Sequence, residues 1–339
     1  MRSINLIVLG SAGIALGALG ALVATGMLTP YLPQFGSSEP TQSEQPAEIP
    51  AKAASLPTDD PAYAAFDQGK YLTALELAEK AARRDDPQAH TLIGRIYADG
   101  LGVPKDEGTA ARWYARAAEL GDVPGTLALG TMLAEGRGVT KDINLAAEMF
   151  EKAAATGDPL ANYNLGLMFL RGTGKPENPY RAAQHIRYAA EKGVASAQYD
   201  LAALYLEGNG VPNDALEAAR WSAKAAEAGL PAAQYDYAVL LLQGRGLKAD
   251  EGKAVSYLQS AANQGVAGAQ NRLGHLYAQG VGVEANAVEA AKWRMIAKAA
   301  GVTDDKLDLY VAALPDADRT KAEAAATEWR EKRQVMAMP

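Results

Sequence analysis

The sequence predicts an all-α chain built as a solenoid of stacked helical hairpins, and three observations carry that reading. Gly94, Gly130, Gly166 and Gly274, with Ala202 and Ala238 in the same register, fall 36 residues apart along a chain of 339. A GxG element recurs at that period, as Gly100/Gly102, Gly136/Gly138, Gly172/Gly174, Gly208/Gly210, Gly244/Gly246 and Gly280/Gly282. Paired alanines flank one large residue per period: Trp113, Met149, His185, Trp221, Tyr257 and Trp293. Self-similarity at a fixed period of this length marks hairpins that bury their apolar faces only against their neighbours.

Units begin at Ala89, Gly125, Ala161, Ala197, Ala233 and Ala269. The first helix of each ends at the GxG element, because glycine takes positive φ without steric cost where a helix stops and the chain reverses. Four residues after the second glycine come Asp106, Asp142, Asn178, Asp214, Asp250 and Asn286, all side chains suited to cap the second helix. That helix carries the paired alanines and the large residue, so that neighbouring helices interlock, and it ends at Gly121, Gly157, Gly193, Gly229, Gly265 and Gly301.

The clearest copy is AQYDLAALYLEGNGVPNDALEAARWSAKAAEAG, residues 197–229. The shared pattern AxYxLGxLYxxGxGVxxDxxxAxxWxxKAAExG resembles the Sel-1-like repeat, a longer-looped relative of the tetratricopeptide repeat, over residues 89–301. Departures are local: Lys175 and Leu247 replace the loop valine, and Pro176 and Pro179 are added to the third copy. The resemblance implies a right-handed α/α superhelical solenoid whose first helices line the concave side. It also implies adaptor work in envelope polysaccharide control, signalling or, in eukaryotes, protein quality control.

The repeats are expected to fill residues 89–303. Residues 61–88 resemble a shorter tetratricopeptide hairpin, since Ala81-Ala82 lie 36 before Ala117-Ala118, and read as an N-terminal cap. Residues 304–339 read as capping helices and tail, broken near Leu314-Pro315. Asp316, Asp318, Arg319, Lys321, Glu323, Glu328 and Arg330 supply the polar outer face that a terminal unit needs, with Trp329 packing inward.

Residues 1–28 read as a membrane anchor or a signal peptide. From Ile4 to Leu28 only Asn5, Ser11 and Thr25 are polar, and such a run is long enough to cross about 30 Å of hydrocarbon. Arg2 precedes it and no basic residue follows until Lys52, which keeps the N-terminus cytoplasmic and exports the repeats. The expected location is the bacterial inner membrane, single-pass, with the repeats in the periplasm. The alternative is cleavage near Gly26, at Ala24-Thr25-Gly26, which yields a soluble periplasmic or secreted protein. Gly13, Gly17 and Ala21 form a small-residue stripe that suits weak self-association in the membrane. Residues 29–60, with Pro30, Pro33, Pro40, Pro46, Pro50 and Pro57, read as a disordered tether with a reach of roughly 30 Å.

Composition narrows the chemistry. The formal charge of −7 and the absence of any basic block argue against nucleic acid. No cysteine is present, which removes disulfides, thiolate metal sites and a cysteine nucleophile. The three histidines, His90, His185 and His275, occupy three different repeat positions, so no metal, cofactor or catalytic site is expected. The GxG elements follow helices, not strands, and so lack the context of a dinucleotide site. Asp200 and Asp236 are the carboxylates not accounted for as caps or solvated faces.

Comparing the six copies with one another separates scaffold from surface. Three positions of the first helix vary freely at a spacing of i, i+3, i+7, on one face. They hold Leu92, Ala128, Asn164, Asp200, Asp236 and Arg272; then Arg95, Thr131, Leu167, Ala203, Val239 and His275; then Asp99, Glu135, Arg171, Glu207, Gln243 and Gln279. With the resemblance, this stripe paves the concave groove, where apolar Leu167, Ala203 and Val239 lie beside polar Asn164, Asp200 and Asp236. Arg95, Arg272 and His275 complete the expected site. Such a mixture suits an extended peptide or a partner helix. The expected function is a non-enzymatic, membrane-anchored protein–protein interaction scaffold serving envelope assembly or signalling. A soluble periplasmic regulator of a sensor kinase or exopolysaccharide pathway is the first alternative. A hydrolase acting on peptidoglycan or β-lactams is another, drawn from cysteine-rich relatives whose disulfide in each repeat this chain lacks.

Overall fold

The computed structural model describes residues 60–336, with side chains as far as Arg333. Among the described residues the regular elements are all helices. Two precede the full repeats, α1 (Pro61–Asp67) and α2 (Tyr71–Ala82). Six pairs follow: α3 (Pro87–Asp99) with α4 (Glu107–Glu119), α5 (Val123–Glu135) with α6 (Ile143–Ala155), and α7 (Pro159–Arg171) with α8 (Pro179–Glu191). Then come α9 (Ala195–Glu207) with α10 (Ala215–Glu227), α11 (Pro231–Gln243) with α12 (Glu251–Asn263), and α13 (Ala267–Gln279) with α14 (Ala287–Ala299). The chain closes with α15 (Asp305–Ala312) and α16 (Asp316–Met336). The expected membrane segment at residues 4–28, its Gly13, Gly17 and Ala21 stripe, and the tether up to residue 59 lie outside the described residues. Among those that are described, no helix is long and apolar enough to cross a membrane.

The residues form two compact units. One runs to Ala197 and includes Asn209–Val211; the other comprises Gln198–Gly208 and the chain from Pro212 onward. In the first unit, Phe66, Leu75, Ile93 and Ile96 centre one apolar cluster, and Leu127, Phe150, Leu165, Met168 and Phe169 centre another. In the second, one cluster runs from Ala225 through Tyr237, Leu258 and Leu273 to Trp293 and Ala326.

Two glycines make each hairpin, for different physical reasons. The first of each GxG pair ends the first helix in the left-handed region, as at Gly136 (φ 78°) and Gly244 (φ 63°). The second also has positive φ, but its lack of a side chain matters more. A Cβ on Gly138 would stand 2.1 Å from the Glu107 carbonyl oxygen, and one on Gly246 would stand 1.9 Å from that of Ala215. The loop of each hairpin is thus pressed onto the start of the preceding hairpin's second helix. The cap positions then act as the sequence predicts. Asp106, Asp142, Asn178, Asp214, Asp250 and Asn286 each accept a backbone N–H from the first turn of the second helix. The backbone N–H of each also donates to a first-helix carbonyl, from Tyr97 in the first copy to Tyr277 in the last.

Inside the hairpin, the glycine of the 36-residue register admits a bulky neighbour. A Cβ on Gly94 would fall 2.8 Å from the Tyr114 ring, one on Gly130 the same distance from Phe150, and one on Gly166 2.7 Å from Ile186.

Candidate interaction surface

The first helices present the variable stripe, and its depth differs from copy to copy. In the first unit, Arg95 on α3 lays its guanidinium over the Phe66 ring, 4.6 Å from the centroid, and pairs with Asp99 at 3.7 Å. Burial raises the Asp99 carboxyl above the usual range, and Arg95 opposes that rise. Asn164 and Leu167, one turn apart on α7, are only 3% and 2% exposed. The Asn164 Oδ1 has no hydrogen-bond partner among the described residues. Leu92 and Thr131, at the same two register positions, are buried as well.

Elsewhere the stripe is more open, at Arg95 and Ala128 in the first unit and at several positions of the second. Asp200 and Ala203 on α9, Asp236 on α11, and Arg272 and His275 on α13 are all partly exposed. The Tyr199 hydroxyl donates to Asp236 Oδ2 at 2.6 Å. Desolvation nevertheless dominates at this carboxyl and pushes its pKa up to about 6, while the tyrosine bond pulls it down. Burial and the nearby Asp236 carboxylate raise the Tyr199 phenol in turn. Val239 breaks the pattern, at 2% exposure.

Three expectations about these residues need correcting. Leu167 and Val239 are core residues and not exposed anchors, because the face that the 3.6-residue period marks as variable is deep enough to be covered there. Asn164 is buried with Leu167. His275 is partly exposed but already engaged: its Nε2 lies 2.6 Å from Asp304 Oδ2, and the Asn271 amide donates to the same oxygen at 2.8 Å. The residue that caps α15 therefore takes up the histidine.

Sequence reasoning missed two features. At the second residue of the second helix, Leu72, Tyr180 and Leu216 share one register position and are 58%, 65% and 49% exposed. Apolar residues that recur at one position beside a solvent-facing loop were the available signal. The other feature is a polar position inside the first helix, held by His90, Thr126, Asn162, Gln198, Gln234 and Gln270, all buried. There the amides reach back to the preceding helix's last turn: Asn162 to the Ala154 carbonyl (3.3 Å), Gln234 to Ala226 (3.3 Å), and Gln270 to Ala262 (3.1 Å). Carbonyls orphaned at a helix end are satisfied this way.

Many ionisable side chains of the described residues are taken up as helix caps or in ion pairs with near neighbours. No set of three or more His, Asp or Glu side chains there is placed to hold a metal ion. The hollow between the starts of α3 and α5, about 430 Å³, is lined by Asp86 and Asp122. Both carboxylates already cap their helices, and Asp122 also accepts the Thr91 hydroxyl at 2.6 Å. What the arrangement offers is a ribbed surface with mixed polar and apolar side chains.

Comparison with known proteins agrees with this architecture. The Sel1 repeat pattern matches residues 68–86, 87–122, 124–158, 159–194, 195–230, 231–266 and 267–293. The match extends the array into the N-terminal hairpin, where the sequence suggested only a cap. A Sel1 repeat protein from Oxalobacter formigenes is similar at 30% identity, with a TM-score of 0.62 over 70% of this chain and 94% of that one. The protein c5321, a protective antigen of uropathogenic Escherichia coli strains with an SLR fold, is similar at 28% identity. Its TM-score is 0.52, over 79% of this chain and 68% of that one. A search of curated proteins gave no match.

Proposed function

Because the chain belongs to the Sel1 repeat family, whose members typically serve as protein-interaction scaffolds rather than enzymes, we propose that it is a non-enzymatic adaptor that captures a partner protein or peptide on its first helices. One observation carries the reading: the second unit keeps the scaffold positions of the repeat while leaving Asp200, Ala203 and Asp236 partly exposed at the positions that vary between copies. A polar pair beside a small apolar residue gives register to an extended segment and room for its side chains. The apolar run at residues 4–28 supports placing this adaptor in the inner membrane with its repeats in the periplasm, for envelope assembly or signalling. Cleavage near Gly26 would release it as a soluble regulator instead.

The test uses the exported repeats as bait from an envelope extract, with wild type beside Ala203→Lys and Asp200→Lys. Both positions are open enough to take lysine without unfolding the array. Loss of a wild-type partner from both variants is the expected result. Undiminished capture by folded variants would overturn the assignment of this face. Mass measurement of the mature N-terminus separates the two locations: a chain starting at Met27 in the soluble fraction removes the anchor.

A further inference from the structure

Arg294 is 1% exposed and stands where the earlier copies have Tyr114, Phe150, Ile186, Ser222 and Leu258. A charge at a core position demands partners, and Arg294 finds them beyond the last repeat. Its Nε and one terminal nitrogen grip both oxygens of Asp308 on α15, at 2.7 and 3.0 Å. Its other terminal nitrogen donates to the Val302 carbonyl (2.9 Å) and to Asn271 Oδ1 (3.0 Å). Lys298 reaches the same Asp308 at 3.1 Å. Asn271 and His275 of α13 hold Asp304, which in turn caps α15 at the Leu307 N–H. The charged and polar groups of α13 and α14 thus converge on two carboxylates of one short helix.

Apolar attachment of this segment is thin. Among the described side chains, Leu307 is the buried apolar residue of α15, and Ala322 and Ala326 are those of α16, with Trp329 partly buried; α13 buries Ala269, Leu273 and Leu276, and α14 buries Ala290, Ala291, Trp293, Ile296 and Ala297. Leu307 seats where Gly274 has no side chain, 2.7 Å from the place a Cβ would occupy. Trp329 meets Trp293 edge to face, 6.0 Å between centroids, and donates to Asn263 Oδ1 at 3.2 Å. The two helices are tied to each other as well: Arg319 of α16 donates to the Ala312 and Leu314 carbonyls that end α15. Gly301, at φ 89°, ends α14 before the segment as Gly121, Gly157, Gly193 and Gly229 end the earlier second helices.

We infer that α15 and α16 form a charge-latched cap that opens as one unit while the repeats of the second unit stay folded, baring the Gly274 and Trp293 faces of the last hairpin. A buried ion pair contributes little net stability over apolar packing, yet it specifies geometry, so it suits a latch better than a weld. Segments with few buried apolar contacts open below the global unfolding free energy.

Hydrogen exchange followed by mass spectrometry on the full chain tests the latch. In the wild type, peptides from α15 and α16 are expected to exchange through a shared opening, faster than those from α13 and α14. Asp308→Asn strands Arg294 and is expected to speed exchange in both cap helices by about 100-fold, with α11 and α12 unchanged. Arg294→Leu restores the residue type that Leu258 provides one repeat earlier, so the hairpin folds and the cap alone is released. Cap and last hairpin losing protection together, or a cap indifferent to both substitutions, would overturn the inference.

Discussion

The two units build the same 13-residue first helix by different means. In the first unit, Asp86, Asp122 and Asp158 cap the starts of α3, α5 and α7 with their carboxylates. In the second, α11 and α13 begin at Leu230 and Val266, with no side-chain cap. There Gln234 and Gln270 bond the preceding helix's last turn, as Asn162 also does in the first unit, and Gln264 donates to Gln234 Oε1 at 2.8 Å. The stripe does not follow that division: Asn164, Leu167 and Val239 are sealed, whereas Ala128, Asp200, Ala203 and Asp236 face partly outward. A repeat period therefore dictates backbone and register, but each copy chooses how its helix starts and how deep its variable face lies.

The largest expected effect contrasts Leu167 with Ala203, which share a register position. Leu167→Lys buries an uncompensated ammonium and removes a packed side chain, at an expected cost of about 4 kcal/mol. Ala203→Lys extends into solvent and is expected to stay within about 0.5 kcal/mol. Denaturant midpoints for the two variants decide the matter. Equal losses would mean that the faces have one depth after all.

Next in size is the pH response of the open face. The Asp236 carboxyl titrates near 6 in the folded chain, above its ordinary value, chiefly because of desolvation. The native state then holds a proton that the unfolded chain has already released, so stability falls as pH rises from about 4 to about 6 and is level above. The integrated loss is about 2 to 3 kcal/mol. Asp236→Asn is expected to flatten that slope and to gain on wild type as pH increases. Asp308 has the opposite sign: Arg294 holds its carboxyl down to about 2, so the stability it contributes is present above pH 4 and lost as pH falls toward 2. A pH series of melts on Asp236→Asn whose slope matches wild type would refute the assignment.

Much of this architecture was readable from local chemistry. The GxG turns and the six second-helix caps depend on residues within a few positions of one another, and all six caps bond as expected. The contacts between copies were not readable. From Gly138 onward the second glycine of the loop serves a carbonyl 31 residues earlier, as Gly138 does that of Glu107. The buried amides bond the previous hairpin, and Arg294 selects a helix outside the repeat altogether. The variable stripe misled for a related reason. Variation between copies measures how independent a position is of the repeat pattern, and a core site is independent too when its neighbour changes size with it.

The smallest effect examines the capped helix starts. Asp158 accepts the Ala161 N–H at 2.7 Å, and Asp158→Ala is expected to cost about 1 kcal/mol. Asp122 does more, because one oxygen accepts both the Gly125 N–H (2.7 Å) and the hydroxyl of Thr91 on the preceding first helix (2.6 Å). Asp122→Ala is therefore expected to cost about 2 kcal/mol, the excess reflecting the bond between hairpins. A double-mutant cycle with Thr91→Val isolates it, with a coupling of about 1 kcal/mol expected. Zero coupling would reduce Asp122 to a local cap like Asp158. A clear coupling would show that the first unit joins its copies through a capped helix start, beside the buried-amide contact that Asn162 makes there and that Gln234 and Gln270 make in the second unit.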